Sequence, residues 1–589
     1  MLKPLLASLA LIASPGPDVA AKAGPRLEVG VAPSQDKLRP FDPVPAETTL
    51  ALEAPRGACA SGQIAVRSGA RFLGLSARAT PLVVPGRASG ALSLALYRVG
   101  HVVLSRPSGP DGEAGEWPDP LIPVRDAWFR EERRAFPIDL TPDRLQAIWV
   151  EACVPLSADP GELQGQVILE QHRHAVATVP VRLTVWPVVL PSTSTKPVTF
   201  GLSTLLGTRA LGKPGDPELA RALAAAALRH RITPHALSAN PPSGRCDAQG
   251  CALDFTTYDA EMAPILDGTL VPGVRGTFAE VRLPGAILRQ PDAVLVAALR
   301  AWRTHFDARG WADRLWLYTL DEPKPSDLPE LVRRARAAHA AGVRVFATTT
   351  PSPTLNGLVD AYVPNLDFFA ASGAGPFHSA SPLRADPRPF WYASCMSHGC
   401  SEQPDASRQR TRWKETFSGW PGYEIDRPGA AALAMGWLAF REGVAGELYY
   451  DMLQGWGADR AKDTKDARTW DDVRAFAGNG DGLLLYPGRP DEWGGVHPFP
   501  VESIRLKLIR EAQEDQELLL LAARTGHRAL ADRLVRDLAP ALRKWERDPK
   551  RYLQARHQLL AALSGGAAAV PGAAAVPVPA AGTLDASAR

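Results

Sequence analysis

Across 589 residues, 66 Lys and Arg stand against 63 Asp and Glu, a formal charge of +3. With neither sign dominant and no long basic run, the chain is not built to neutralise nucleic-acid phosphates, which excludes a nucleic-acid partner. The length exceeds one ordinary domain and allows about two to four.

The N-terminal stretch MLKPLLASLALIAS sets a lysine before a short apolar run, and small residues follow, with Ala-type cleavage positions near Ala21 and Ala23. This pattern predicts a signal peptide over 1–23 and a protein that is secreted or periplasmic. No Cys stands near the cleavage region to carry a lipid. No later segment approaches the ~20 uninterrupted apolar residues that a bilayer requires, so no membrane span is expected after signal removal. The six cysteines fall into neighbourly pairs: Cys59 with Cys153, Cys246 with Cys251, and Cys395 with Cys400. Zinc is the competing account, but no histidine accompanies Cys246 and Cys251, and only His398 lies between the last pair. In an exported chain, disulfides are the expectation.

From 27 to 196, short runs rich in Val, Leu and Ile (GQIAVRS, ALSLALYRVG, ATVPVRLTVWPVVLP) are punctuated by Gly, Pro and Asp. That spacing predicts an antiparallel β-sandwich. After the linker-like PSTSTKP the rhythm changes. VTFGLST precedes DPELARALAAAALRHR, VRGTFAEVRL precedes PDAVLVAALRAWRTHFDARG, and RLWLYTL precedes SDLPELVRRARAAHAAG, with VRVFATT next. PFWYASCM and GELYYDML read as later strands flanking the helix RPGAAALAMGWLAFREG. Alternating strands and helices over 197–480 predict a (β/α)8 TIM-like barrel; a doubly wound open sheet is the alternative, although no GxGxxG turn opens the first unit. GDGLLLYPG reads as a further strand and 501–562 is helix-patterned, so 481–563 is expected as a strand and helical extension packed on the barrel. The low-complexity GGAAAVPGAAAVPVPAAG places a disordered tail over 564–589.

In LWLYTLDEPKP, Asp321 and Glu322 end an apolar strand side by side. Reactive groups of a parallel barrel belong at the C-terminal ends of its strands. If extended geometry persists, the two side chains diverge, which disfavours a shared proton and also an acid and a nucleophile flanking one glycosidic oxygen. A divided role suits them better. Glu322 protonates the leaving-group oxygen and later activates water, while Asp321 orients a 2-acetamido group whose own oxygen attacks the anomeric carbon. By itself, the pair is equally well explained as a polar strand terminus capping the next helix.

EWPDPLIP (116–123), LQAIWVEACVPLSADPGELQGQVILE, WLYTLDEP, PGYEIDRPGAAALAMGWLAFREGVAGELYYDMLQGW (421–456), GDGLLLYPG and PVESIRLKLIREAQEDQELLLL occur in this order. Together, over roughly residues 110 to 525, they resemble glycoside hydrolase family 123 and the related domain of unknown function 4091 proteins. The resemblance implies a β-sandwich ahead of a (β/α)8 barrel and retaining β-N-acetylgalactosaminidase activity. It also implies that Asp321 is the acetamido-orienting aspartate and Glu322 the acid/base.

Tyr392 in FWYAS, Tyr449, Tyr450 and Asp451 in GELYYDML, and Trp456 are read as lining a sugar pocket, since aromatic rings offer flat faces to pyranose C–H groups. For each aromatic, ordinary packing is the plainer account. Alternation allows only one register of GELYYDM to face the pocket. Asp426 in YEIDRP binds a hydroxyl or caps the following helix. Trp117 and Asp119 read as domain-interface structure. His230 and His235 lack metal-ligand spacing, and neither metal nor organic cofactor is expected. The partner is a glycan or glycoconjugate. The alternatives are a glycosidase pairing Glu322 with a distant carboxylate (Asp451, Glu447 or Asp426) and a non-catalytic carbohydrate-binding surface protein.

Overall fold

The computed structural model describes residues 27–86, 90–237, 241–369, 389–395, 399–404, 407–456, 470, 473–475 and 478–565. The expected signal peptide and residues 566–589 lie outside these. The last helix, Pro549–Gly565, runs into the start of the segment read as a tail.

Alternation of side chains builds the N-terminal β region. In the strand His174–Val189, Val179, Val181, Leu183 and Val185 are buried while Pro180 and Arg182 are exposed. This period of two commits one face to a core. That strand belongs to a five-stranded sheet ordered Leu50–Arg56, His174–Val189, Gly161–Gln171, Phe72–Ala79 and Ile138–Leu140. Its pairings are antiparallel apart from the parallel edge pair Leu50–Arg56 with His174–Val189. Facing it is an antiparallel seven-stranded sheet, ordered Leu27–Pro33, Cys59–Ser68, Gln146–Cys153, Ala95–Leu104, Gly115–Pro123, Phe499–Ser503 and Leu485–Gly488. Ile64, Val66, Ile148 and Val150 of this sheet meet Val167, Leu169, Val181 and Leu183 of the other in one core. Full burial of such side chains is worth about 1.5–3 kcal/mol each. The two final strands of the seven come from the far end of the chain.

The opposite face of the seven-stranded sheet, including Tyr97, Leu121 and Trp149, packs into the main core with the helix Ile504–Arg524. Ser503 caps that helix by accepting from Leu506 N. Its charged residues from Arg505 to Glu517 are buried, and several are ion-paired: Lys507 with Glu151 at 2.9 Å and Glu502 at 2.6 Å, Arg510 with Glu151 at 2.5 Å, and Asp515 with Arg556 at 2.6 Å. Burial raises the Glu151 pKa, yet the Arg510 and Lys507 charges outweigh it and hold the group below the usual carboxylate range. Asp119 and Arg505 tie the sheet to the helix at 2.8 Å, with both side chains buried. The helix Ala430–Arg441 is apolar on every side and buried from Ala430 to Phe440, as a helix enclosed by protein must be. It crosses Ile504–Arg524 at Gly436, where any Cβ would collide with the Ala512 carbonyl.

Between these layers the chain alternates short strands with helices. One parallel sheet is ordered Thr233–His235, Val198–Gly201, Gly446–Tyr449, Phe390–Ala393; the other is ordered Ala279–Glu280, Leu315–Tyr318, Arg344–Ala347, Ala361–Tyr362. An isolated parallel bridge, Asn365 with Tyr392, joins them along one seam. Trp316, Phe346 and Ala361 from one share a cluster with Phe390 and Leu448 from the other, so both sheets face a common aromatic interior. Along the second seam, the Thr233 and Thr277 hydroxyls are hydrogen-bonded at 3.1 Å. The ladders resolve as two four-stranded sheets, not as one continuous ring, because strands of two to four residues leave little backbone to pair.

All six cysteines are bonded as expected: Cys59–Cys153, Cys246–Cys251 and Cys395–Cys400. The first joins directly opposed residues of neighbouring strands, and the second closes a hairpin between Ser243–Cys246 and Cys251–Asp254. Among the described residues, no helix is long and apolar enough to cross a membrane.

Candidate functional site

Phe346 and Phe390, with Trp316, form an aromatic layer inside the parallel sheets. Two residues further along each strand, on the same face, come Tyr318, Thr348 and Tyr392. They sit one layer nearer the C-terminal ends of their strands. Asp321 and Glu322 follow Leu315–Tyr318 at this level, before the turn Pro325–Asp327 and the helix Leu328–Ala340.

The two carboxylates have different partners. Asp321 Oδ1 accepts from the Tyr318 hydroxyl at 2.8 Å and the Thr348 hydroxyl at 3.0 Å. Glu322 Oε1 accepts from the Tyr392 hydroxyl at 2.5 Å, and Glu322 N donates to Thr348 Oγ1 at 2.9 Å. Both acids are solvent-exposed. Burial, then the bond to Glu322 and the charges of Glu322 and Asp321, raise the Tyr392 pKa; burial and the Asp321 charge raise that of Tyr318. Both phenols therefore remain protonated donors at ordinary pH. The Tyr392 hydroxyl is bonded to Glu322 alone of the two acids, with the Asp321 charge acting on it from further off. Divergence of neighbouring side chains assumes extended backbone, but Glu322 has φ +42°, in the left-handed region where strand alternation does not apply.

Sequence reasoning missed several groups around this mouth. Glu280 Oε1 accepts from Arg282 at 3.0 Å and from Ala236 N at 3.1 Å, and its charge acts on Tyr318 and His235. His235 Nδ1 meets Thr199 Oγ1 at 2.9 Å, its ring lies against Phe278, and burial lowers its pKa to about 4. The usable signal for Tyr318 was the two-residue offset from Trp316 along one strand.

Of the residues read as sugar contacts, Tyr392 joins the carboxylate pair directly. Tyr450 runs across Gly482 toward Asp481, and burial followed by the Asp481 charge raises its pKa. Asp451 is buried and accepts from Leu453 N at 2.5 Å and Ser203 N at 3.2 Å; burial raises its pKa to about 6. Trp456 is 6% exposed and donates to Leu485 O at 3.0 Å. Asp426 is 2% exposed and accepts from Ser108 N at 2.7 Å and Ser108 Oγ at 2.5 Å, binding a loop of the N-terminal region. Glu447 is buried, accepting from Tyr423 at 2.6 Å and Gln513 at 3.3 Å, and burial raises it to about 7. The site therefore supplies one carboxylate anchored by two hydroxyls beside a second held by one, a set suited to unequal roles in acid/base chemistry.

No family model and no curated protein matches the sequence. In three dimensions the chain is similar to a family 123 glycoside hydrolase from Clostridium perfringens studied for glycolipid glycan hydrolysis, with 11% identity, coverage of 92% of this chain and 98% of that one, and a TM-score of 0.62. This shows a shared fold. A family 39 glycoside hydrolase from Bacteroides cellulosilyticus (10% identity, 75% and 80% coverage, TM-score 0.30) and a xyloglucanase from Bacteroides ovatus (9%, 83% and 99%, 0.27) are also similar over much of their lengths, at scores that carry no argument.

Proposed function

We propose that the chain is an exported glycoside hydrolase that removes β-linked N-acetylhexosamine, N-acetylgalactosamine foremost, with retention of configuration. The observation that carries this reading is the separation of partners at adjacent carboxylates: Asp321 on Tyr318 and Thr348, Glu322 on Tyr392. The two parallel sheets are read as halves of one (β/α)8 barrel, supported by their shared aromatic interior and the Asn365–Tyr392 bridge. The likeness in fold to the family 123 enzyme supports the assignment to glycosidases, and its glycolipid glycans belong among the substrates to test. The three disulfides support an oxidising compartment.

In this mechanism the acetamido oxygen of the substrate attacks the anomeric carbon from the face opposite the leaving group. The C–O bond breaks as protonated Glu322 donates to the departing oxygen. Asp321 accepts the acetamido N–H and stabilises the positive oxazolinium. Glu322, now a carboxylate, removes a proton from water, which opens the ring at the anomeric carbon, regenerates the acetamido group and restores the acid. Two inversions give net retention. A distant second carboxylate is disfavoured, because Asp451, Glu447 and Asp426 are each occupied by interior hydrogen bonds.

The test is a panel of 4-nitrophenyl β-glycosides of N-acetylgalactosamine, N-acetylglucosamine and galactose. Release is expected only from the two 2-acetamido sugars, faster from the galacto isomer. Comparable cleavage of the plain galactoside would exclude participation by the acetamido group. No cleavage of any glycoside would return the protein to the binding-only reading.

A further inference from the structure

Thr348 lies just past the strand Arg344–Ala347, beside Leu315–Tyr318, and is 5% exposed. Its hydroxyl carries one hydrogen and two lone pairs. The backbone N–H of Glu322 is a donor, so Thr348 Oγ1 accepts there, and its own hydrogen is directed to the carboxylate of Asp321. One side chain thus fixes the backbone of one acid and the carboxylate of its neighbour. The backbone it fixes is strained: Glu322 sits at φ +42°, where a residue with a Cβ persists only if its surroundings hold it. At Asp321, Thr348 and Tyr318 both bond Oδ1. Among the described residues Oδ2 receives no hydrogen bond, so it is the oxygen left to accept a ligand N–H.

We propose that Thr348 is a positioning residue that locks the two acids in register, turning Asp321 Oδ2 toward the acetamido N–H while holding Glu322 in the left-handed conformation that aims it at the leaving-group oxygen. This inference rests on the proposed function and adds a requirement for the hydroxyl of a residue that touches no substrate.

The experiment compares Thr348→Val, which keeps the shape and loses the hydroxyl, with Thr348→Ser, which keeps the hydroxyl, on 4-nitrophenyl N-acetyl-β-galactosaminide. Loss of hydrogen bonds to a charged group predicts a drop of about 10–100-fold in kcat for Thr348→Val, with KM changed less than about 3-fold. Thr348→Ser is expected to stay within about 3-fold of the parent. In an Asp321→Asn background, Thr348→Val is expected to cost at least about 3-fold less than it costs in the parent, because its hold on Asp321 has nothing further to lose and only its hold on the Glu322 backbone remains. Thr348→Ala gives the same comparison if the valine variant does not fold. A fully active Thr348→Val, a serine variant as damaged as the valine one, or losses that multiply independently of Asp321 would each overturn the inference and leave the proposed function standing. A parent enzyme inert toward both N-acetylhexosaminides removes the proposed function, and the inference with it.

Discussion

Tyr392 and Glu322 meet across the mouth of the parallel sheets, the phenol donating to Oε1 at 2.5 Å although the two residues lie 70 positions apart. Tyr392→Phe removes that donor and little volume. A hydrogen bond to a charged group is worth about 1.5–3 kcal/mol, so kcat is expected to fall roughly 10–100-fold while the thermal midpoint stays within a few degrees. Steady-state kinetics alongside calorimetry make the comparison, and an unchanged kcat would detach Tyr392 from the chemistry.

Glu322→Gln and Asp321→Asn are expected to fail differently. General-acid help is worth about 10²–10⁴ in rate, but an activated leaving group needs less of it. Glu322→Gln should therefore lose much more activity on an alkyl N-acetylhexosaminide than on the 4-nitrophenyl one. Under the proposed mechanism Asp321→Asn acts on ring closure and should depress both substrates by similar factors. Equal leaving-group sensitivity in the two variants would contradict the division of roles.

Burial raises Glu447 from 4.5 to about 7, while hydrogen bonds from Tyr423 and Gln513 pull the other way. The folded protein thus keeps a proton that the unfolded chain has released between those values. This carboxyl's contribution to stability is fully present below pH 4.5 and is lost as the pH rises through about 7. Glu447→Gln is neutral throughout. Its stability relative to the parent is expected to rise, on the order of 2–3 kcal/mol, between about pH 5 and about pH 8. Urea midpoints at the two pH values measure this, and parallel curves would refute it.

Asp119 accepts from Arg505 Nη2 at 2.8 Å and from Nε at 3.0 Å, and also from the Tyr486 hydroxyl, all out of solvent. Removing one partner of a buried pair costs about 3–5 kcal/mol. Asp119→Ala should therefore lower the denaturant midpoint clearly. A variant as stable as the parent would mean that Arg505 is held by the carbonyls of Tyr423, Gly480 and Leu483 alone.

The long alternating runs of the sandwich and the helices Asp292–Ala308 and Leu328–Ala340 were legible because each spans several periods. Ala361–Tyr362 was not, since two residues define no period. The carboxylate pair could be read from its place at a strand end. Thr348 could not, because its role depends on the register of a neighbouring strand and on a left-handed residue that no propensity foretells. Asp426 and Trp456 looked like sugar contacts by residue type. Their bonds to Ser108 and Leu485 arise from segments far away in sequence, which one-dimensional patterning does not carry.

The strands Phe499–Ser503 and Leu485–Gly488 complete the sheet begun by Leu27–Pro33. During synthesis the edge of Gly115–Pro123 stays open until the chain has grown past residue 503, an interval of roughly 20–75 s at ~5–20 residues per second. The N-terminal region is therefore no detachable module: its seven-stranded sheet is complete only when residues 485–503 have been made, although Pro118, Pro120 and Pro123 leave the waiting edge short of N–H donors for pairing with other chains.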